Sequence, residues 1–270
     1  MRTGRGVRVA IIDSGVHADH PHVGGVAGGV AIDGHGSRHH DYVDRLGHGT
    51  AIAAAIREKA PDAELFAVKV FDRALSTTVA SLVEGIDWAV ASGVHLVNLS
   101  LGTSRDAHEG ALGEAVARAA ARGAIIVSPR TDEGVRWLPG SLPGVLPVEV
   151  DWTLPRDRYR AETIDGTTVF RASGFAREIP GVPPERNLHG VSFAVANMTG
   201  FAARALEGAA DRSLHALIRV LSSEFGGPIF CSTRPRETRA PRSTADRPPR
   251  RCAGREPPRR RGSAASGSGR

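Results

Sequence analysis

The chain has 270 residues, with Lys+Arg 35 against Asp+Glu 29 and a formal net charge of +6. Residues 231–270 hold 12 Arg and three acids, Glu237, Asp246 and Glu256, so the first 230 residues carry 23 bases against 26 acids. The basic character belongs to the C-terminal end, and the rest offers no electrostatic argument for a nucleic-acid partner.

Residues 231–270 also contain no Ile, Leu, Val, Met, Phe, Trp or Tyr. They cannot bury enough apolar surface to offset the entropy of ordering a backbone. This predicts a disordered Arg/Pro-rich tail over 231–270, its partner unspecified, behind one domain over 1–230. Both cysteines, Cys231 and Cys252, fall in that tail, which excludes a disulfide-stapled domain and a thiol nucleophile within it. No apolar run approaches the roughly 20 residues of a membrane span. Met1 stands only 12 residues ahead of Asp13, so no export signal and no membrane association are expected, and a cytoplasmic location is.

In chain order, the apolar run VRVAII at 7–12 reads as a buried parallel strand ending in the turn Asp13-Ser14-Gly15. A helix is predicted over 50–57, a strand over 64–71, and a helix over 77–91 with Val79, Leu82, Val83, Ile86 and Val90 on one face. A strand at 94–99, a helix at 109–122 and strands at 124–127 and 145–150 follow. Two β-prone segments, 158–163 and 167–171, flank Ile164-Asp165-Gly166 and predict a hairpin. Helices over 192–206 and 213–225 complete the pattern. Alternating strands and helices imply an α/β fold: three layers, αβα, around a mainly parallel central sheet.

In open parallel sheets, functional sites collect at the carboxyl ends of strands. Asp13 stands there after the first strand, His48 opens a helix in DRLGHGTAIAAAI, and Ser192 opens another in HGVSFAVANMTGFAARAL. A serine hydroxyl becomes a competent nucleophile when an imidazole takes its proton and a buried carboxylate fixes the imidazole's tautomer. At a helix start, the serine's own N–H and the helix dipole also face the charge that develops in acyl transfer.

The phrases IIDSGVHADHP, DRLGHGT, VNLSLG and HGVSFAVANMTG resemble the four signature blocks of the subtilisin-like serine proteases, in that family's order of aspartate, histidine and serine. The resemblance implies a serine endopeptidase of subtilisin-like fold. Asp13 would be the orienting carboxylate, His48 the general base and acid, and Ser192 the nucleophile of an acyl-enzyme. Ser100, Leu101 and Gly102 would present the edge on which a protein or peptide substrate adds as a strand. Trp137 to Val148 resembles the family's cis-proline segment, with Pro139 the candidate. The resemblance also makes room for a catalytically silent peptide-binding protein on the same fold.

Departures from the family pattern are equally legible. Where the family carries an oxyanion-hole asparagine in a Gly-Asn-Glu-Gly phrase, this chain reads Thr131-Asp132-Glu133-Gly134. An ionised Asp132 has no proton to donate beside the Ser192 N–H. Three readings follow: Asp132 is held protonated by burial, Thr131 or another donor serves, or hydrolysis has been lost. The family's calcium loop after the histidine helix is missing, so no metal and no cofactor are expected. The eleven histidines, including His17, His20 and His22, read as surface residues, and His189 as loop packing.

Overall fold

The computed structural model describes residues 2–224. The expected tail over 231–270 and the domain boundary at 230 lie outside the described residues. In chain order the first elements are β1 (Arg8–Asp13), β2 (Gly28–Ile32), β3 (Arg38–His39), α1 (His48–Lys59), β4 (Glu64–Lys69), α2 (Val79–Ala91), β5 (Leu96–Leu99) and α3 (Glu109–Ala121). They continue with β6 (Ile125–Pro129), β7 (Thr131–Asp132), β8 (Val135–Arg136), β9 (Val145–Val150), β10 (Tyr159–Ile164), β11 (Thr167–Ala172), α4 (Val191–Leu206) and α5 (Leu214–Glu224).

Nine strands form one sheet in the order β10-β11-β9-β6-β5-β1-β4-β2-β3. The seven from β11 to β2 run parallel, and the two edge strands, β10 and β3, are antiparallel. The continuous apolar runs of the inner strands arise because both faces are covered. Val9, Ile11, Leu65, Ala67, Leu96 and Val127 enter one core cluster with residues of α1 and α4. Their alternating neighbours Ala10, Ile12, Phe66, Val68, Val97 and Ile126 enter a second cluster with residues of α2 and α3. This is the three-layer αβα arrangement expected from the sequence.

Strand order reverses about β1: the chain first lays β2 and β3 toward one edge and inserts β4 between β2 and β1, then crosses to β5, β6 and β9 on the other side. The carboxyl ends of β1 and β5 therefore border the switch point, where adjacent connections diverge and leave a crevice. The hairpin expected at Asp165-Gly166 joins β10 to β11, with φ 50° at Asp165 and 76° at Gly166, as a tight primed turn requires.

Three features differ from the sequence reading. Asp13 is the last residue of β1 rather than the residue after it. The strand β2 carries Gly28 and Gly29, which break the apolar signature, and it is held by parallel pairing to β4. Short β7 and β8 form their own two-stranded ribbon and present Asp132 on a turn through Glu133 and Gly134, at φ 48° and 80°.

Candidate active site

Asp13 is 1% exposed at the end of β1, and its Oδ1 lies 2.8 Å from His48 Nδ1. The same oxygen accepts the Ser14 N–H at 2.7 Å. His48 is the first residue of α1, and close approach at its neighbour Gly49 makes the pairing possible. A Cβ on Gly49 would stand 2.1 Å from Gly15 O and 3.2 Å from Asp13 Cβ, so a larger residue would push the start of α1 off β1.

The first turn of a helix leaves N–H groups without intrahelical acceptors. Gly47 caps α1 without a side chain, and two upstream residues supply the acceptors instead. Ser14 Oγ accepts the Gly49 N–H at 2.9 Å, and Asp44 Oδ2 accepts the Thr50 N–H at 2.9 Å and the Thr50 hydroxyl at 2.6 Å. Asp44 Oδ1 accepts the Ser14 hydroxyl and the Leu46 and Gly47 N–H groups, each at 2.9 Å. Asp44 thus fastens the loop before His48 to the residue after Asp13. Burial opposes its ionisation, but the donors of Thr50, Leu46 and Gly47 outweigh burial and hold its pKa below the ordinary carboxylate value.

His48 stands in a comparable balance. Burial disfavours its cation, while the hydrogen bond and charge of Asp13, with the charge of Asp44 behind, favour it, and the net result is a pKa above the ordinary imidazole value. An imidazole so placed binds a proton more firmly than a free one.

Ser192 reaches the site on α4. An antiparallel ladder delivers it: Ala176 N–H donates to Leu188 O at 3.1 Å, Phe175 pairs with His189, and Gly190 N–H donates to Gly174 O at 2.8 Å. Ser192 is the second residue of the helix, where its N–H has no intrahelical acceptor. The ring of its neighbour Phe193 meets His48 edge-on, with centroids 5.7 Å apart. Ser192 Oγ itself donates to Ser100 O at 3.2 Å, and among the described residues it has no hydrogen bond to His48. Ser100, Ser192 and the Asp13–His48 pair therefore converge on the switch-point crevice, with the serine hydroxyl resting on a carbonyl.

Ser100, 8% exposed, follows β5 directly. Beyond it, Leu101 and Gly102 lead to Thr103, whose N–H and C=O both pair with Leu138 at 3.0 and 2.8 Å. A Cβ on Gly102 would stand 2.2 Å from Leu138 O, so glycine is required for this approach. The Leu138–Pro139 peptide is cis, at the position anticipated from the sequence.

At the candidate oxyanion position, Asp132 is partly buried, and burial followed by the charge of Glu133 raises its carboxyl pKa. The alternative donor Thr131 is already committed, its hydroxyl donating to Glu149 Oε1 at 2.7 Å. Glu149 also binds Arg130 at 2.9 Å and Arg171 at 2.7 Å, which anchors the start of the β7–β8 ribbon. His189 is exposed, with Nδ1 2.9 Å from Asn187 O and its ring against Trp152 and Phe175. Asp44, Glu149 and Asn98 carry much of this geometry without standing out in the sequence. The one local signal is the placing of Asp44 two and three residues ahead of the N–H groups it receives, an Asx-turn spacing.

A family model described as the Subtilase family matches residues 4–145. Minor extracellular protease Epr of Bacillus subtilis is 36% identical over 142 residues, 49% of this chain and 21% of that protein. Subtilisin Savinase of Lederbergia lenta is 36% identical over 141 residues, 49% of this chain and 50% of that protein. Subtilisin E of Bacillus subtilis is 30% identical over 220 residues, 77% of this chain and 55% of that protein. The chain thus spans between about a fifth and just over half the length of these curated relatives. The crystal structure of a cold adapted subtilisin-like serine proteinase superposes with a TM-score of 0.64 at 23% identity, covering 82% of this chain and 83% of that one, which shows the shared fold. The family model spans just over half of the 270 residues, including Asp13 and His48 in their motifs, and the chain belongs to the subtilase family.

Proposed function

We propose that the chain is a serine endopeptidase that acts on protein or peptide substrates through Asp13, His48 and Ser192. The observation that carries the reading is the 2.8 Å contact of His48 Nδ1 with the buried Asp13 carboxylate, at the switch point to which α4 brings Ser192. Substrate main chain pairs along Ser100, Leu101 and Gly102. Ser192 Oγ turns from Ser100 O toward His48, whose Nε2 takes its proton as Oγ attacks the peptide carbonyl carbon. The Ser192 N–H donates to the oxyanion, and Asp132 adds a second donor when its carboxyl carries a proton. Collapse breaks the C–N bond, the proton held by His48 passes to the leaving amine, and a water activated by His48 hydrolyses the acyl-enzyme.

A second reading, a catalytically silent peptide-binding protein, draws support from the Ser192 hydroxyl resting on Ser100 O at 3.2 Å. Reaction of purified protein with a fluorophosphonate probe separates the two. Labelling of the wild type with none in Ser192→Ala is the expected result, and no labelling of either overturns the peptidase.

A further inference from the structure

The face of β5 turned toward α4 starts with Leu96 in the core cluster, yet its next residue on that face, Asn98, is polar and 0% exposed. A buried amide is tolerated only when it is hydrogen-bonded, and both ends of this one are. Asn98 Nδ2 donates to Ser100 Oγ at 2.7 Å, and Asn98 Oδ1 accepts the Thr199 hydroxyl at 3.0 Å. The Thr199 hydroxyl also lies 2.8 Å from Val195 O, one turn back on α4. Thr199 is 0% exposed.

The spacing gives these bonds their meaning. Ser192, Val195 and Thr199 recur at three and four residues, so they share one face of α4. Asn98 and Ser100 are two residues apart and follow the same side of β5. Helix and strand are therefore tied at two points: Thr199 to Asn98 inside the core, and Ser192 to Ser100 O at the carboxyl end. The Ser192 tie is released when Oγ turns to His48, so register during reaction rests on the chain of bonds from Thr199 through Asn98 to Ser100.

We infer that Asn98 is a positioning residue, holding the Ser192 end of α4 in register with the Ser100 segment, and this role rests on the peptidase reading above. Asn98 touches neither Asp13 nor His48 by any hydrogen bond. It acts through Ser100 and Thr199. Replacing Asn98 and Thr199 together by apolar groups leaves no orphan between those two, though Ser100 Oγ loses its donor, so some stability is lost along with alignment.

The test is Asn98→Leu combined with Thr199→Val, with Thr199→Val alone as a second variant that breaks the tie from the helix side. Melting temperature, fluorophosphonate labelling rate, and kcat and KM on a peptide are measured for each. The double variant is expected to stay folded with a modestly lower melting temperature while labelling rate and kcat fall about 10²-fold, the penalty for roughly 1 Å of misplacement, with KM little changed. Thr199→Val falls in the same direction, and if the double variant does not fold, this variant decides alone. Rates within twofold of wild type in folded variants overturn the role of Asn98. A loss of rate that only tracks a loss of melting temperature overturns it as well. A wild type that does not label overturns the peptidase reading and this role together.

Discussion

Asp44→Asn separates the scaffold of the site from its chemistry. In the same rotamer the substituted side chain keeps an oxygen at the Oδ1 position, so Ser14, Leu46 and Gly47 retain their acceptor. The new amide nitrogen then faces the Thr50 N–H, donor against donor, while the Thr50 hydroxyl can turn to accept. The Thr50 N–H is thereby left buried and unpaired, at a cost of about 1–3 kcal/mol. Loss of a carboxylate at the N-terminus of α1 adds about 0.3–1 kcal/mol. The sum is about 1.3–4 kcal/mol, read as a lower urea midpoint at unchanged m-value. Asp44 has a folded-state pKa below its unfolded value, so its contribution is complete above the unfolded pKa and is lost as pH falls through the depressed one. The gap between wild type and variant should be full at neutral pH and narrow below about pH 4. Catalytically, the Asp44 charge raises the His48 pKa, so its removal moves the acid limb of kcat/KM to lower pH. A stability loss under about 0.5 kcal/mol, set against the 1–3 kcal/mol for an orphaned donor, refutes the capping account. Movement of the limb to higher pH refutes the electrostatic one.

At the oxyanion position, Asp132→Asn supplies a permanent N–H donor, so kcat should hold or rise, by up to about 10²- to 10³-fold if wild-type Asp132 is ionised under the assay conditions. Asp132 must be protonated to donate while His48 must be neutral to accept, so the wild-type pH profile should be bell-shaped and the variant should lose its alkaline limb; a large drop in kcat would sink this view of Asp132. Gly49→Ala places a Cβ 2.1 Å from Gly15 O, so urea unfolding should show a loss of about 1–3 kcal/mol. Because the same clash lifts His48 from Asp13, kcat should fall about 10²-fold, and a variant with wild-type kcat would show that the close approach is dispensable.

Much of this protein is determined locally. Runs such as VAII and VNL, covered on both faces, announce inner parallel strands; Asp165-Gly166 announces a hairpin; and Asp13, His48 and Ser192 are marked by their positions at strand and helix ends. These signals survive because period, turn chemistry and helix starts depend on a few neighbouring residues. Where the local signal is weak, as in glycine-bearing β2 or the two-residue β7 and β8, pairing partners decide, and those are tertiary. The same holds for the residues that aim the site. Asp44 meets Ser14 across 30 positions, Glu149 meets Thr131 across 18, and Asn98 meets Thr199 across 101. No periodicity links such pairs, so the sequence alone names the candidate reacting groups, while their alignment is decided by hydrogen bonds that exist only once the sheet has brought distant segments within about 3 Å of one another.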